Sequence, residues 1–264
     1  MNPGPRLVAT DLDGTLLRTD GTISEHTADV LRRVLDRGVD VAFVTARPRR
    51  WMDDLWPYVG SRGLAIVSNG ALLLDVSTGE ALEVRAIDVG PGLALTERIR
   101  AALPGAQFAV ETLDGIVLEP EYLEPGHAPP GSPTGPIHEV WTAPALKLLV
   151  RHEHLDPEEL RSAVLAAVGD RAVATWTMDG LMEISAVGVT KGDGLARLCG
   201  RLGIAAADVV VFGDMPNDIP MLTWAGSSYA VANAHPSVLE AADHTAPAND
   251  DDGVATVLAG LFDL

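Results

Sequence analysis

The sequence predicts an α/β protein with a Rossmann-like parallel-sheet core, and two observations lead to that prediction. Short runs of β-branched and apolar residues alternate with helical patterns, as they do in parallel sheets covered by helices on both faces. Polar residues follow directly after these apolar runs. Open α/β sheets bind ligands at the carboxyl ends of their strands, so this placement predicts a functional site there.

Four apolar runs are predicted as strands of this sheet. They are LVAT at 7–10, VDVAFVT at 39–45, LAIVSNG at 64–70 and DVVVFGD at 208–214. A helix is predicted at 24–37, with Ser24 as its N-cap, because a serine oxygen accepts a hydrogen bond from an amide of the first turn. Cys199, the single cysteine, lies in the apolar pattern LARLCGRLGI and is predicted to be a buried helix residue.

The pattern changes in the middle of the chain, where helices precede hairpins. A helix at 91–103 leads into FAVETLDGIVLEP, predicted as a hairpin that turns at Asp114-Gly115. A strand at 146–150, a helix opened by Asp156 and Pro157, and a hairpin turning at Asp179-Gly180 follow. The sequence therefore predicts an inserted α+β domain at 85–186, within a core formed by 1–84 and 187–264.

Two further segments carry local predictions. The Pro/Gly-rich stretch at 124–136 is predicted to be a mobile loop of the insert. Asp250, Asp251 and Asp252 precede the final helical pattern, VATVLAGLF, and are predicted to cap that helix and to suit its positive end.

Composition limits the classes of function. The formal net charge of −18 repels nucleic-acid phosphates and anionic membranes, so neither is expected as a partner. There is no run of about 18 apolar residues and no signal-peptide pattern, which together predict a cytoplasmic location. The same charge repels small phosphate esters, so a phosphate site would need a metal, a lysine or helix N-termini. The oligomeric state is not predicted.

Carboxylates gather at two of the predicted strand ends. Asp11 and Asp13, in DLDGT, lie two residues apart and can converge on one metal and one substrate atom. In GDMPND, Asp214 is placed to ligate a metal, while Asn217 and Asp218 can orient neighbouring groups. Taken singly, the first pattern is also typical of an Asp/Gly turn and the second of a helix N-cap cluster.

Two other patterns supply groups that can hold a phosphate. Thr45 and Ala46 follow the second strand and offer a hydroxyl and a backbone amide. Lys191 begins a helical pattern, where its charge adds to the positive end of the helix. Singly, a threonine there is more often a helix cap and a lysine more often solvated.

Together, and in this order, DLDGT at 11–15, Thr45, Lys191 and GDMPND at 213–218 resemble the motifs of the haloacid dehalogenase superfamily. The position of the insert between Thr45 and Lys191, and its two similar halves, resemble the Cof-type phosphatase branch. The resemblance spans nearly the whole chain and is weakest across 105–145. Ala46 departs from it, because this branch often has glycine there. Further local matches are Ser68-Asn69-Gly70-Ala71, Val231-Ala232-Asn233-Ala234, Ala242-Asp243 and Asp252-Gly253-Val254-Ala255.

The resemblance implies a Mg²⁺-dependent phosphatase with a haloacid dehalogenase-like core and a cap. Asp11 is implied as the nucleophile that forms an aspartyl-phosphate, and Asp13 as the general acid and base. The implied Mg²⁺ ligands are the Asp11 carboxylate, the Asp13 backbone carbonyl and Asp214. Dehalogenases and ion-pumping ATPases of this superfamily lack an acid at the position of Asp13, so its presence favours a phosphatase or a phosphomutase.

The resemblance also assigns groups to the substrate. Those implied to hold the phosphoryl oxygens are Lys191, Thr45, Asn217 and the backbone at Leu12 and Ala46. Asp218 is implied as a partner of Lys191 or of a metal-bound water. Arg47 and Asn69 are expected to contact the substrate.

The substrate is expected to be a small phosphorylated metabolite, either a sugar phosphate, a phosphorylated cofactor or a nucleotide. The insert is expected to close over the site and to select among these substrates. Two alternatives remain open, namely a sugar phosphomutase of the same superfamily and a non-catalytic regulatory protein on the same fold.

Overall fold

The computed structural model describes residues 4–60, 63–122 and 128–264. The chain divides into two units, which we call the core (Met1–Glu83 with Thr190–Leu264) and the insert (Val84–Val189). The predicted fold class is confirmed, because one unit holds a mainly parallel sheet and the other an antiparallel one.

Eight strands form the sheet of the core. Numbered along the chain, they are β1 (Leu7–Thr10), β2 (Asp40–Val44), β3 (Leu64–Val67), β4 (Leu72–Asp75), β5 (Glu80–Val84), β11 (Val209–Gly213), β12 (Ser227–Val231) and β13 (His244–Ala246). Their order is β13-β12-β11-β1-β2-β3-β4-β5. The six strands from β13 to β3 are parallel, and β4 runs antiparallel to β3. All four predicted strands are present.

Helices cover this sheet. They are α1 (Glu25–Asp36), α5 (Lys191–Leu202), α6 (Ile219–Trp224), α7 (Pro236–Ala241) and α8 (Gly253–Leu261). Apolar residues of α5, α6 and α7 pack on alternate residues of β1, β2 and β11, while α1 contacts β2 and α8. Cys199 is buried in α5, as predicted. Ser24 caps α1 by accepting a hydrogen bond from the Thr27 amide, which confirms the predicted helix start.

The insert is a five-stranded antiparallel sheet with helices. Its elements are α2 (Val89–Ala102), β6 (Gln107–Thr112), β7 (Ile116–Leu118), α3 (Ile137–Val140), β8 (Ala145–Arg151), α4 (Pro157–Val168), β9 (Val173–Thr175) and β10 (Met182–Ser185). The strand order is β7-β6-β8-β10-β9. One face of the sheet, with Phe108, Leu148 and Ile184, packs on Ile99 of α2 and Val164 of α4.

The turn chemistry of the insert explains why both predicted hairpins form. Gly115 and Gly180 both adopt positive φ, at +143° and +75°, a backbone conformation that residues with a side chain rarely adopt. Asp156 caps α4 by accepting hydrogen bonds from the amides of Glu158 and Glu159. These local signals are sufficient to place the strands and the helix start.

Part of the loop predicted at 124–136 lies outside the described residues. Of the part that is described, Gly135 donates its amide to Leu118 O at 3.0 Å, and Thr134 pairs with Leu118 in an isolated bridge. Within the described ranges, none of the helices has both the length and the apolar character needed to cross a membrane.

Candidate functional site

The parallel register brings three of the predicted motifs to one edge of the core sheet. Thr10, the last residue of β1, pairs with Phe212 of β11 on one side and Phe43 of β2 on the other. Asp11 is therefore the first residue beyond β1, with Asp214 and Thr45 beyond the neighbouring strands. Side chains more than 200 residues apart in sequence meet here because adjacent parallel strands end at the same edge.

Three carboxylates and one lysine form the buried centre of this site. Ligand atoms of Asp11, Asp214 and Asp218 all lie within 4.8 Å of one another. Lys191 Nζ lies 2.8 Å from Asp11 Oδ1 and 2.6 Å from Asp218 Oδ1. All four side chains are buried, and that of Lys191 is only 1% exposed.

Local structure holds Asp214 and Asp218 in place. The Asp218 carboxylate accepts hydrogen bonds from the amides of Asp214 and Met215, at 2.9 and 3.0 Å. Thr15 Oγ1 donates to Asp214 Oδ1 at 2.7 Å, a contact that the sequence reasoning missed although Thr15 belongs to the DLDGT motif. Gly14 has φ +73°, and a Cβ there would lie 2.4 Å from Asp214 Oδ2, so the site requires glycine at this position.

The charges at the centre do not balance. Three buried carboxylates face one ammonium, and the carboxyl of Asp214 also lies within hydrogen-bonding reach of Asp11. Burial, together with Asp218, raises the pKa of Asp214 from 3.8 to about 6. Burial and the two neighbouring carboxylates raise the pKa of Asp11 well above its ordinary value, although Lys191 opposes this. Burial disfavours the charged ammonium, yet Asp11 and Asp218 still raise the pKa of Lys191.

This imbalance fits a bound divalent cation. Two neighbouring carboxyl groups in a buried site need either a proton or a cation between them. The donors are hard oxygen atoms, the ligand type that Mg²⁺ and Ca²⁺ prefer. The buried acidic cluster of Asp11, Asp214 and Asp218 is therefore able to hold a metal ion.

Asp13 lies outside this buried cluster. Its side chain is 59% exposed, and both of its oxygens accept hydrogen bonds from Arg47, from Nε at 2.7 Å and from Nη2 at 2.5 Å. Arg47, expected as a substrate contact, is thus held by a carboxylate of the chain itself. A forked guanidinium–carboxylate pair of this kind fixes the orientation of both side chains.

The other residues predicted to bind phosphate follow β1, β2 and β11 at the same edge of the sheet. Thr45 Oγ1 accepts a hydrogen bond from the Arg47 amide at 3.0 Å, which leaves the hydroxyl hydrogen to be donated. Asn217 Nδ2 donates to Asn69 Oδ1 at 3.0 Å, so these two residues meet each other. Leu12 and Ala46 directly follow Asp11 and Thr45 at the ends of β1 and β2.

The acidic triplet before α8 does not cap that helix as predicted. Asp252 occupies the N-cap position without a side-chain capping bond and instead pairs with Arg18, at 2.8 Å. Asp250 accepts hydrogen bonds from the amide and hydroxyl of Thr19. The prediction was wrong because Arg18, more than 230 residues away, offers two charge-assisted hydrogen bonds, which are stronger than a cap.

These contacts and the bond from Asn233 Nδ2 to Gly14 O hold the loop that carries Asp13.

Comparison with known proteins agrees with the fold. The sequence profile of the haloacid dehalogenase-like hydrolases matches residues 8–258. The crystal structure of SMU.1108c from Streptococcus mutans superposes with a TM-score of 0.86, covering 99% of this chain and 100% of that one at 23% identity. The chain therefore belongs to the haloacid dehalogenase-like hydrolases.

Within that family it falls in the Cof-type branch of phosphatases. The chain is 29% identical, over the full length of both proteins, to the 5-amino-6-(5-phospho-D-ribitylamino)uracil phosphatase YitU of Bacillus subtilis. It is 31% identical to the HMP-PP phosphatase of Cronobacter sakazakii, covering 90% of this chain and 88% of the relative.

Proposed function

We propose that this phosphatase is Mg²⁺-dependent and hydrolyses a small phosphorylated metabolite through an aspartyl-phosphate on Asp11. The observation that supports this proposal is the buried centre in which Asp11, Asp214 and Asp218 share a single lysine. Mg²⁺ would be held by the Asp11 carboxylate, the Asp13 backbone carbonyl and Asp214. Its charge would offset the excess negative charge there and polarise the phosphoryl group.

In the first step, a carboxylate oxygen of Asp11 attacks phosphorus. The bond between phosphorus and the ester oxygen breaks, and Asp13 gives its proton to the departing oxygen. Lys191, Thr45, Asn217 and the backbone amides at Leu12 and Ala46 hold the phosphoryl oxygens during the transfer.

In the second step, Asp13 removes a proton from water, and the water oxygen attacks the phosphorus of the aspartyl-phosphate. The bond to Asp11 breaks, which releases inorganic phosphate and restores the carboxylate. Asp218 supports both steps by holding the Lys191 ammonium and the Asp214 backbone in place.

Arg47 has to change partner during this cycle. Both oxygens of Asp13 face its guanidinium, so an Asp13 that gives up a proton has to leave that pair. An arriving phosphoryl group offers Arg47 an equivalent bidentate partner. This exchange gives Arg47 the substrate contact that was expected from the sequence.

The names of the relatives support a metabolite substrate. YitU is named for 5-amino-6-(5-phospho-D-ribitylamino)uracil and the Cronobacter sakazakii enzyme for HMP-PP. We infer that this chain acts on a compound of the same size class. The insert, as a cap, would select among such compounds, and a panel of phosphorylated metabolites with phosphate release as the readout tests this.

Hydrolysis of 4-nitrophenyl phosphate is expected in the presence of Mg²⁺ and is expected to stop when EDTA exceeds the metal. Added Mg²⁺ should restore the rate, because the carboxylates themselves remain intact. Full activity in excess EDTA would contradict the metal role. With a sugar phosphate as substrate, steady release of free phosphate supports a phosphatase, whereas an isomeric phosphate without release would point to a mutase.

Asp13→Asn is expected to slow alkyl phosphates more than aryl phosphates. An alkoxide leaving group needs a proton in the transition state, whereas nitrophenolate leaves readily without one. The measurement is kcat/KM for both substrate types in the variant and in Asp53→Asn, a control at an exposed carboxyl. Equal losses on the two substrates would argue against Asp13 as the acid.

Mg²⁺ is expected to raise the melting temperature more at about pH 8 than at about pH 5. The pKa of Asp214 is raised to about 6 and that of Asp11 is also raised, so the folded state binds more protons than the unfolded state. The metal-free protein therefore loses stability as the pH rises from 3.8 through about 6. Above that range Mg²⁺ takes the place of these protons. Below it, Mg²⁺ and protons compete for the same carboxylates. Equal thermal shifts at both pH values would refute this linkage.

A further inference from the structure

The turn that follows β3 has a strained backbone. Ser68, Asn69 and Gly70 are three consecutive residues with positive φ, at +51°, +57° and +101°. Two of them are not glycine, and such residues rarely adopt this conformation. Strained backbone of this kind is retained where several surrounding contacts hold it in place, and it is concentrated at functional sites.

Segments of the candidate site hold this turn in place. The Asn69 amide donates to Thr45 O at 3.1 Å and the Ser68 amide to Arg47 O at 3.0 Å. A Cβ on Gly70 would lie 2.2 Å from Thr190 O, the carbonyl just before Lys191. The turn is therefore packed between the end of β2 and the start of α5.

Arg197 of α5 fixes the turn from the other side. Its Nη2 donates to Gly70 O at 2.6 Å, while its other nitrogens pair with Glu83 and Asp193. A guanidinium whose other donors are engaged holds the Gly70 carbonyl in one place. The sequence pattern gave no signal for this contact, because Gly70 and Arg197 are 127 residues apart.

The side chain that the turn presents is that of Asn69. Its Oδ1 accepts a hydrogen bond from Asn217 Nδ2, and both residues are more than nine-tenths buried. The Asn217 amide has two polar ends, one of which Asn69 engages. The other, Oδ1, has no hydrogen-bond partner among the described residues. Whichever end faces Asn69, the opposite end remains for a ligand, because a buried amide atom without a partner is costly.

We propose that Asn69 is a positioning residue that orients the Asn217 amide, so that its free end meets the phosphoryl group. The inference rests on the proposed function, in which Asn217 belongs to the phosphate site. It changes the expected role of Asn69, which then acts through Asn217 rather than by contacting the substrate. The strained turn serves to bring the Asn69 side chain to that point.

Asn69→Gly tests this directly, because glycine keeps the left-handed backbone and removes only the side chain. We expect inorganic phosphate to bind about tenfold more weakly in the presence of Mg²⁺, the effect of one lost buried hydrogen bond. Isothermal titration calorimetry measures this change. Steady-state kinetics with 4-nitrophenyl phosphate should show the corresponding loss of kcat/KM.

Ser68→Gly is the matched control. It likewise introduces glycine at a left-handed residue, next to Asn69, and the hydroxyl that it removes has no hydrogen-bond partner among the described residues. Phosphate affinity is expected to stay within about twofold of the parent. Circular dichroism and thermal unfolding of both variants confirm that the fold is retained.

A double-mutant cycle separates positioning from general structural support. With Asn217 replaced by alanine, Asn69→Gly should cause no further loss, because its effect passes through Asn217. Additive losses, or normal phosphate binding in Asn69→Gly, would overturn the inference while leaving the proposed function intact. Normal phosphate binding in Asn217→Ala would instead overturn the phosphate role of Asn217, and the inference with it.

Discussion

Asp11→Asn is expected to lose essentially all turnover, by a factor on the order of 10⁴ or more. The amide of asparagine is a poor nucleophile, and the proposed reaction requires a bond from this side chain to phosphorus. Asp218 is not available as a substitute nucleophile, because Lys191 and two backbone amides hold its carboxylate. The measurement is the steady-state rate with 4-nitrophenyl phosphate.

The same variant should remain folded. Burial and two neighbouring carboxylates raise the pKa of Asp11, so its charge costs stability in the metal-free protein. A neutral asparagine removes that cost, and the melting temperature without Mg²⁺ should equal or exceed that of the parent. Asp11→Ala is a second variant that cannot revert by deamidation. Turnover comparable to the parent in either variant would refute the covalent mechanism.

Lys191→Ala is expected to lower the rate by a factor on the order of 10²–10³, by analogy with the removal of one preorganised donor. The larger part should fall on kcat, because in the proposed mechanism the charge acts mainly on the transition state. Lys191→Arg should not restore the rate. A planar fork does not fit where a side chain 1% exposed lies against two carboxylates.

Lys191→Ala and the Asp11 variants are expected to differ in their free energy of unfolding. Removing Lys191 leaves Asp11 and Asp218 buried without their cation, and breaking such a pair typically costs about 3–5 kcal/mol. Urea unfolding without Mg²⁺ should therefore show a clear loss, in contrast to Asp11→Asn. Arg201→Ala, an exposed residue on the same helix, is the control. Near-normal kinetics in Lys191→Ala would show that the lysine has only a structural role.

Most of the fold was accessible from the sequence because its signals are local. Short runs of β-branched and apolar residues marked the strands of the core, and Asp-Gly pairs at 114–115 and 179–180 marked the hairpins of the insert. Ser24 and Asp156 marked helix starts through bonds that span three residues or fewer. Such signals act over a few residues, so a single sequence carries them without knowledge of the tertiary packing.

The sequence by itself also determined that the motifs of Asp11, Thr45 and Asp214 lie at the ends of strands, whereas the adjacency of those strands came from the tertiary structure. Only the tertiary structure decided how their side chains pair. In the structure, Asp218 lies within the buried cluster and Asp13 pairs with Arg47. Asp252 pairs with Arg18 and does not cap the final helix. These pairings depend on long-range geometry and on competition among charged partners, which periodicity and spacing do not encode.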